Sequence, residues 1–299
     1  MSQESQPGRT RKLLRPIKVV MATLSYCLGN VGRLVSFSWF PFLLTIATVL
    51  ALQALLYAYP RMLPDWLINR GVAPSTWLTP VCVAPFFAMV WAYVLEEFFK
   101  RNFDRAVAGP NVIRVERLGI EVSRPVLLAA LLLAVAGLYL GFVKLVRFYI
   151  LYEIVVRFRS DADSGHFVFI WRMLSWPAYA FAAAVVQAPL YLLTGQVLIS
   201  GRFAIRPLWS FVYQNWLRLC VIAIILGIVQ WGVEWLALAL EGEAHPFLLE
   251  WFGGLPRGWQ DNLAGYVLQL PFSAPIFFVR AIMPAAAVAI VLKGRQALA

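Results

Sequence analysis

Long apolar runs separated by short polar or basic segments organise this chain, and the length of each run limits what it can be. A helix needs roughly 20 apolar residues to cross a hydrocarbon core. Residues 39–59, 77–98, 125–146, 173–199, 217–240 and 266–292 meet that requirement. Ahead of the first run, Ile17, Val20, Met21, Leu24, Leu28, Val31 and Val35 recur at helical spacing, with Lys18, Ala22, Ser25, Gly29 and Arg33 opposite. This spacing predicts a helix with one apolar stripe, opened by Pro16 in its first turn and too polar to span. A second such segment is 202–218, where Ile205, Leu208, Trp209, Val212, Tyr213 and Trp216 face one way and Arg206, Ser210, Gln214 and Arg218 the other. Both are expected to lie in the membrane interface on the cytoplasmic leaflet. The predicted fold class is an all-α membrane protein of six transmembrane helices in hairpin-like repeats plus two interfacial amphipathic helices. Residues 1–15 form a basic tail expected to be disordered, and 16–299 a single polytopic membrane domain.

The chain also repeats itself. Ala84-Pro85-Phe86-Phe87 is followed by Asn111-Val112-Ile113-Arg114-Val115, and at the same distance Ala188-Pro189-Leu190-Tyr191 is followed by Asn215-Trp216-Leu217-Arg218-Leu219. The proline element returns as Ala274-Pro275-Ile276-Phe277, and the Asn/Arg element also matches Asn30 and Arg33. Each Ala-Pro falls in an even-numbered span. Proline lacks a backbone donor and clashes one turn back, so these helices are expected to bend or break at Pro85, Pro189 and Pro275. Gln187 and Gln269 each precede a proline by two and are placed to cap the freed carbonyls. The breaks either line a site near the midplane, as in repeat-built transporters, or simply let kinked helices pack.

Composition agrees with the pattern. The chain is 61% hydrophobic and only 14% charged, whereas soluble domains carry about 25% charged residues. The net charge of +11 is spread between apolar runs rather than gathered on one module, which points to anionic lipid headgroups and away from nucleic acid. Lys and Arg favour one set of connecting segments about twofold, which predicts cytoplasmic termini. No cleavable signal peptide is visible, so the first span is expected to remain as an anchor.

Candidate chemistry is sparse. Cys27, Cys82 and Cys220 are far apart in sequence, which argues against a disulfide or thiolate metal site. Asp161, Asp163 and His166, with His245 or Glu243, read as ordinary loop composition rather than a metal site. Glu96 and Glu97 precede Lys100 and Arg101 at the spacing of a salt-bridged helix end. There is no phosphate-binding loop, serine elbow or zinc helix, so neither an enzyme nor a cofactor is expected. Gly137 and Gly141 are spaced as a small-residue packing face. Arg280 stands out because it falls near the middle of the last span, where a guanidinium must face the bundle interior, a wet cavity or an acid. Glu234 is the acid within the fifth span, but it sits nearer the outer end, beside Trp231 and Trp235. A direct pair would need tilt or a broken last helix.

Val90-Trp91-Ala92-Tyr93-Val94-Leu95-Glu96-Glu97 and the basic segment 202–218 resemble parts of a family of uncharacterised polytopic inner-membrane proteins of proteobacteria. The resemblance covers about a third of the chain, and Ala92 stands where the family has Arg or His. It implies a bacterial inner-membrane location and no particular reaction. The function expected is non-enzymatic: a scaffold, lipid-binding or regulatory subunit in which Arg33, Arg114, Arg206 and Arg218 grip anionic headgroups or a protein partner. The alternative is a small-solute or ion transporter using the kinked helices and Arg280.

Overall fold

A computed structural model describes residues 14–58, 75–103, 113–116, 119–122, 124–157, 164–201, 205–251, 271 and 273–296. In a bilayer core there is no water to satisfy a backbone N–H or C=O, so apolar runs of spanning length must close their own hydrogen bonds as helices. The helices are α1 (Pro16–Gly29), α2 (Val31–Ala58), α3 (Ser75–Phe103), α4 (Arg124–Arg157), α5 (Ser164–Ser200), α6 (Ile205–Trp251) and α7 (Met283–Gln296). A π-helical turn, Phe278–Ile282, leads into α7. Six of the helical stretches are long and apolar enough to cross a membrane: Val31–Leu52, Leu78–Arg101, Arg124–Arg147, Pro177–Ser200, Leu208–Ala244 and Ser273–Gly294. The protein is therefore a helical membrane bundle, as its hydrophobic pattern predicts.

Several boundaries differ from the pattern, all in the same direction. The helices continue past the apolar runs. The aromatic and basic stretch after 146 belongs to α4 without interruption as far as Arg157, and α5 already begins at Ser164. The segment 202–218 is not a helix apart: from Ile205 it is the opening of α6, which runs 47 residues without a break. At 1.5 Å per residue α6 is about 70 Å long, more than twice the hydrocarbon core. Hydropathy marks where a helix enters lipid and carries no signal for where its hydrogen bonding stops.

Between α3 and α4 the chain forms a two-stranded antiparallel hairpin, Ile113–Glu116 (β1) with Gly119–Val122 (β2), whose register sets Arg114 opposite Glu121. It lies in a connection and leaves the helical class unchanged. It does separate the two long sequence copies, because Arg114 is in a strand whereas its counterpart Arg218 is in α6. Asn111 lies outside the described residues, as do Gln269, the Asp161 and Asp163 turn, and residues 1–13.

The last helix forms the centre of the bundle. Ala281, Ala285, Ala286 and Ala289 are completely buried, and Ile282, Met283, Val291 and Leu292 nearly so. α1, α3, α5 and α6 all pack on it. Lipid tails are as apolar as leucine, so burial alone does not drive such packing; close approach does, and small residues permit it. At Gly195 on α5 a Cβ would lie 2.3 Å from Val288 Cγ1, and at Gly137 on α4 it would lie 2.6 Å from Pro80 Cβ on α3. The buried Thr23 and Thr194 hydroxyls are satisfied within their own helices, Thr23 donating to Val19 O and Thr194 to Leu190 O, each at 2.8 Å.

Candidate functional site

Two polar clusters sit at opposite ends of the bundle. The near end is where α1, the start of α6 and the finish of α3 meet; the far end is where α6 finishes and the last helix enters.

The far-end cluster is built on Arg280. Its Nε donates to Glu234 Oε1 at 2.7 Å, and the same oxygen accepts from Gln230 Nε2 at 2.7 Å, one turn back on α6. Lys144, exposed on α4, is close enough to act electrostatically on both charges. Nearby, Arg147 donates to Ser175 Oγ at 3.0 Å and lies 5.6 Å from the centre of the Tyr179 ring. Arg280 lies about 10 Å along the helix from Ser273, the first residue of the described last span. Helical side chains lean toward their own N-terminus. On antiparallel elements, Arg280 therefore reaches up toward the far surface while Glu234 reaches down, and they meet without a broken helix.

The π turn supplies the remaining rotation. Met283 N–H donates to Phe278 O, five residues back. Pro284 explains this geometry: it has no N–H for the Arg280 carbonyl and its ring would clash with that carbonyl in a regular α-turn. Inserting one residue into the turn relieves the clash, and π turns of this kind are frequent at functional sites. The sequence carried this signal, a proline four residues after the intramembrane arginine, as it carried Gln230 four before Glu234.

Beside Arg280 a cleft of about 120 Å³ opens between α2 and the last helix, lined by Phe42, Thr45, Ile46, Val49, Phe277 and Arg280 among others. Phe277 closes its inner wall by edge contact with Phe87, at 5.5 Å between ring centres.

The three prolines do not gather at this or any other interior site. Helix α3 runs through Pro85 and α5 through Pro189 without a break. Pro85 and Pro275 are exposed and Pro189 half-buried. On an outward face the missing donor disturbs no neighbouring helix, and each helix keeps its remaining ladder. Gln187 does not cap a proline-freed carbonyl either, since its amide donates to the Tyr191 hydroxyl at 3.2 Å.

At the near end, two asparagines do the same thing. Asn30 Nδ2 donates to Tyr26 O at 2.8 Å, and Asn215 Nδ2 donates to Phe211 O at 3.2 Å. Each then offers its carbonyl oxygen outward, Asn30 to Arg101 Nη1 at 2.6 Å and Asn215 to Leu14 N–H at 3.2 Å. Arg33 and Arg101 share Glu97 Oε1, at 3.0 and 2.7 Å, and Lys100 pairs with Glu96. Arg33 is thus tied to α3, whereas Arg206 is exposed and Arg218 half-buried. Burial pushes the Cys27 thiol up to about 12. Burial, reinforced by Glu97, also raises the Tyr26 hydroxyl to about 12.

The faces that α1 and α6 bury hold the smaller residues rather than the bulky members of their apolar stripes. α1 packs through Val19, Val20, Thr23 and Cys27, leaving Ile17, Met21 and Leu28 exposed. α6 packs through Leu208, Val212 and Asn215, leaving Trp209, Tyr213 and Trp216 exposed. Smaller residues admit the closer approach, so the bulky members of each stripe point outward.

Among the described residues, no three His, Cys, Asp or Glu side chains gather as a metal site. These features define a multi-pass helical membrane protein with a partly exposed, ion-paired arginine at the far end of its bundle. The chain matches no protein-family model, no curated protein and no solved structure.

Proposed function

We propose that this chain is a non-enzymatic multi-pass protein of a bacterial inner membrane, with cytoplasmic termini, serving as a scaffold, lipid-binding or regulatory subunit. The observation that carries this reading is the near-end surface. There α1 and the opening of α6 are packed on the bundle by one face and leave Ile17, Met21, Leu28, Trp209, Tyr213 and Trp216 outward. An apolar and aromatic face flanked by Lys18, Arg33, Arg206 and Arg218 suits the headgroup layer of an anionic leaflet. The test is the phospholipid and protein retained through purification by the wild type and by an Arg33→Gln, Arg206→Gln, Arg218→Gln variant. A loss of anionic lipid or of a co-purifying partner supports the reading; identical retention of both would sink it.

The Arg280–Glu234 pair beside its cleft favours a second reading, a small-solute or ion transporter. On that reading Arg280→Gln abolishes uptake in vesicles while the protein stays folded.

A further inference from the structure

The far-end cleft has a chemistry of its own, independent of the near-end surface. Its walls are apolar and aromatic, and one end carries a guanidinium whose side chain is 46% exposed. Arg280 spends its Nε on Glu234, and among the described residues its paired Nη groups make no hydrogen bond, so they can meet two oxygens of one anion. The cleft holds about 120 Å³, roughly the volume of four waters. That is enough for a short run of methylenes. We propose that this cleft seats part of one acyl chain of an anionic phospholipid, with the headgroup phosphate held by the Nη groups of Arg280.

Position and charge both fit that occupant. The guanidinium leans toward the N-terminus of its own helix, and so toward the far surface, which brings it nearer the phosphate level of that leaflet by snorkelling. A chain descending from a phosphate at that level runs alongside Ile46, Val49 and Phe42. Glu234 neutralises one cation, and Lys144 acts on the same pair, so among the described residues of the cluster one positive charge is unmatched. A net-anionic lipid matches it. A zwitterionic lipid brings an ammonium of its own and gains less.

The experiment is native mass spectrometry of the delipidated protein titrated with phosphatidylglycerol, phosphatidylethanolamine or oleate. The wild type should hold one tightly bound phosphatidylglycerol, with phosphatidylethanolamine about tenfold weaker, a difference of about 1.4 kcal/mol. Arg280→Gln should lose this preference. Val49→Trp, which fills the cleft and keeps every charge, should weaken phosphatidylglycerol by a similar factor and remains informative if Arg280→Gln does not fold. The near-end triple variant should keep this site, so failure of the near-end reading and failure of this one are distinguishable. Equal binding of the two phospholipids, undiminished binding to Val49→Trp, or oleate binding in preference to phosphatidylglycerol would each overturn the proposal.

Discussion

Replacing Gly195 by Ala puts a methyl carbon 2.3 Å from Val288 Cγ1 and 3.0 Å from Leu292 Cδ1. Leu292 can rotate aside. Val288 cannot, because a β-branched side chain in a helix has essentially one χ1 rotamer and its neighbours Ala285 and Ala289 are fully buried. The remaining response is for α5 to move off the central helix, a strain of about 1–3 kcal/mol. Alanine itself favours the helix over glycine by about 1 kcal/mol, so the net expectation is a destabilisation of about 1 kcal/mol. Gly227 on α6 provides the control, since a Cβ there meets nothing within 4 Å. Gly227→Ala should be stabilising by up to about 1 kcal/mol, from propensity alone. Adding Val288→Ala to Gly195→Ala removes the clashing methyl, and the pair should couple favourably by at least about 1 kcal/mol. SDS titration of the purified protein, followed by tryptophan fluorescence, measures all four. If Gly195→Ala and Gly227→Ala change stability with the same sign, or the double variant is merely additive, close approach at Gly195 is not what holds α5 to the centre.

Pro284→Ala should restore a regular α-turn, rotate Arg280 by about 100° about the helix axis, and abolish the energetic coupling between Arg280 and Glu234 in a double-mutant cycle; a surviving coupling refutes the role assigned to Pro284. Asn215→Ala removes the acceptor for Leu14 N–H and should cost about 1 kcal/mol, with faster hydrogen exchange at Leu14, whereas Asn215→Asp, which keeps an acceptor, should protect it. Cys27 is almost fully buried, so it should resist maleimide at neutral pH in the folded protein and react once SDS unfolds it. The thiol is raised from 9.0 to about 12 and the Tyr26 hydroxyl from 10.0 to about 12. Folding holds both in their neutral forms, so their contribution is intact below pH 9.0 and is lost as pH rises toward about 12. Cys27→Ala should flatten part of that decline.

The bundle was legible because lipid leaves the backbone so few choices. Length and apolarity alone placed the spans at 77–98 and 125–146 within three residues of Leu78–Arg101 and Arg124–Arg147. Helix ends were not legible, because the residues after 146 and before 217 are polar enough to leave lipid and still good enough helix formers to continue. The faces by which α1 and α6 pack on the bundle were not legible for a related reason. An apolar stripe in water reports the buried side, but beside lipid an apolar residue is equally at home outside. What identifies the packed face is small size and self-satisfied hydroxyls, as at Thr23 and Cys27 on α1.

The same reasoning shows why repeated prolines misled where a single unremarked proline did not. Pro85, Pro189 and Pro275 recur in sequence and turn to the outside or partly so, where losing one donor costs the bundle nothing it uses. Pro284 recurs nowhere, yet it sits one turn beyond Arg280 in the most buried of the described spans, where packed neighbours limit how far the helix can lean away. There the only relief is to widen the turn, and widening it redirects Arg280. Depth arithmetic along straight helices could not bring Arg280 to Glu234. Opposed side-chain tilt together with one inserted residue closes the gap to 2.7 Å. An intramembrane charge should therefore be paired by searching for a proline four residues downstream before its depth is used to reject a partner.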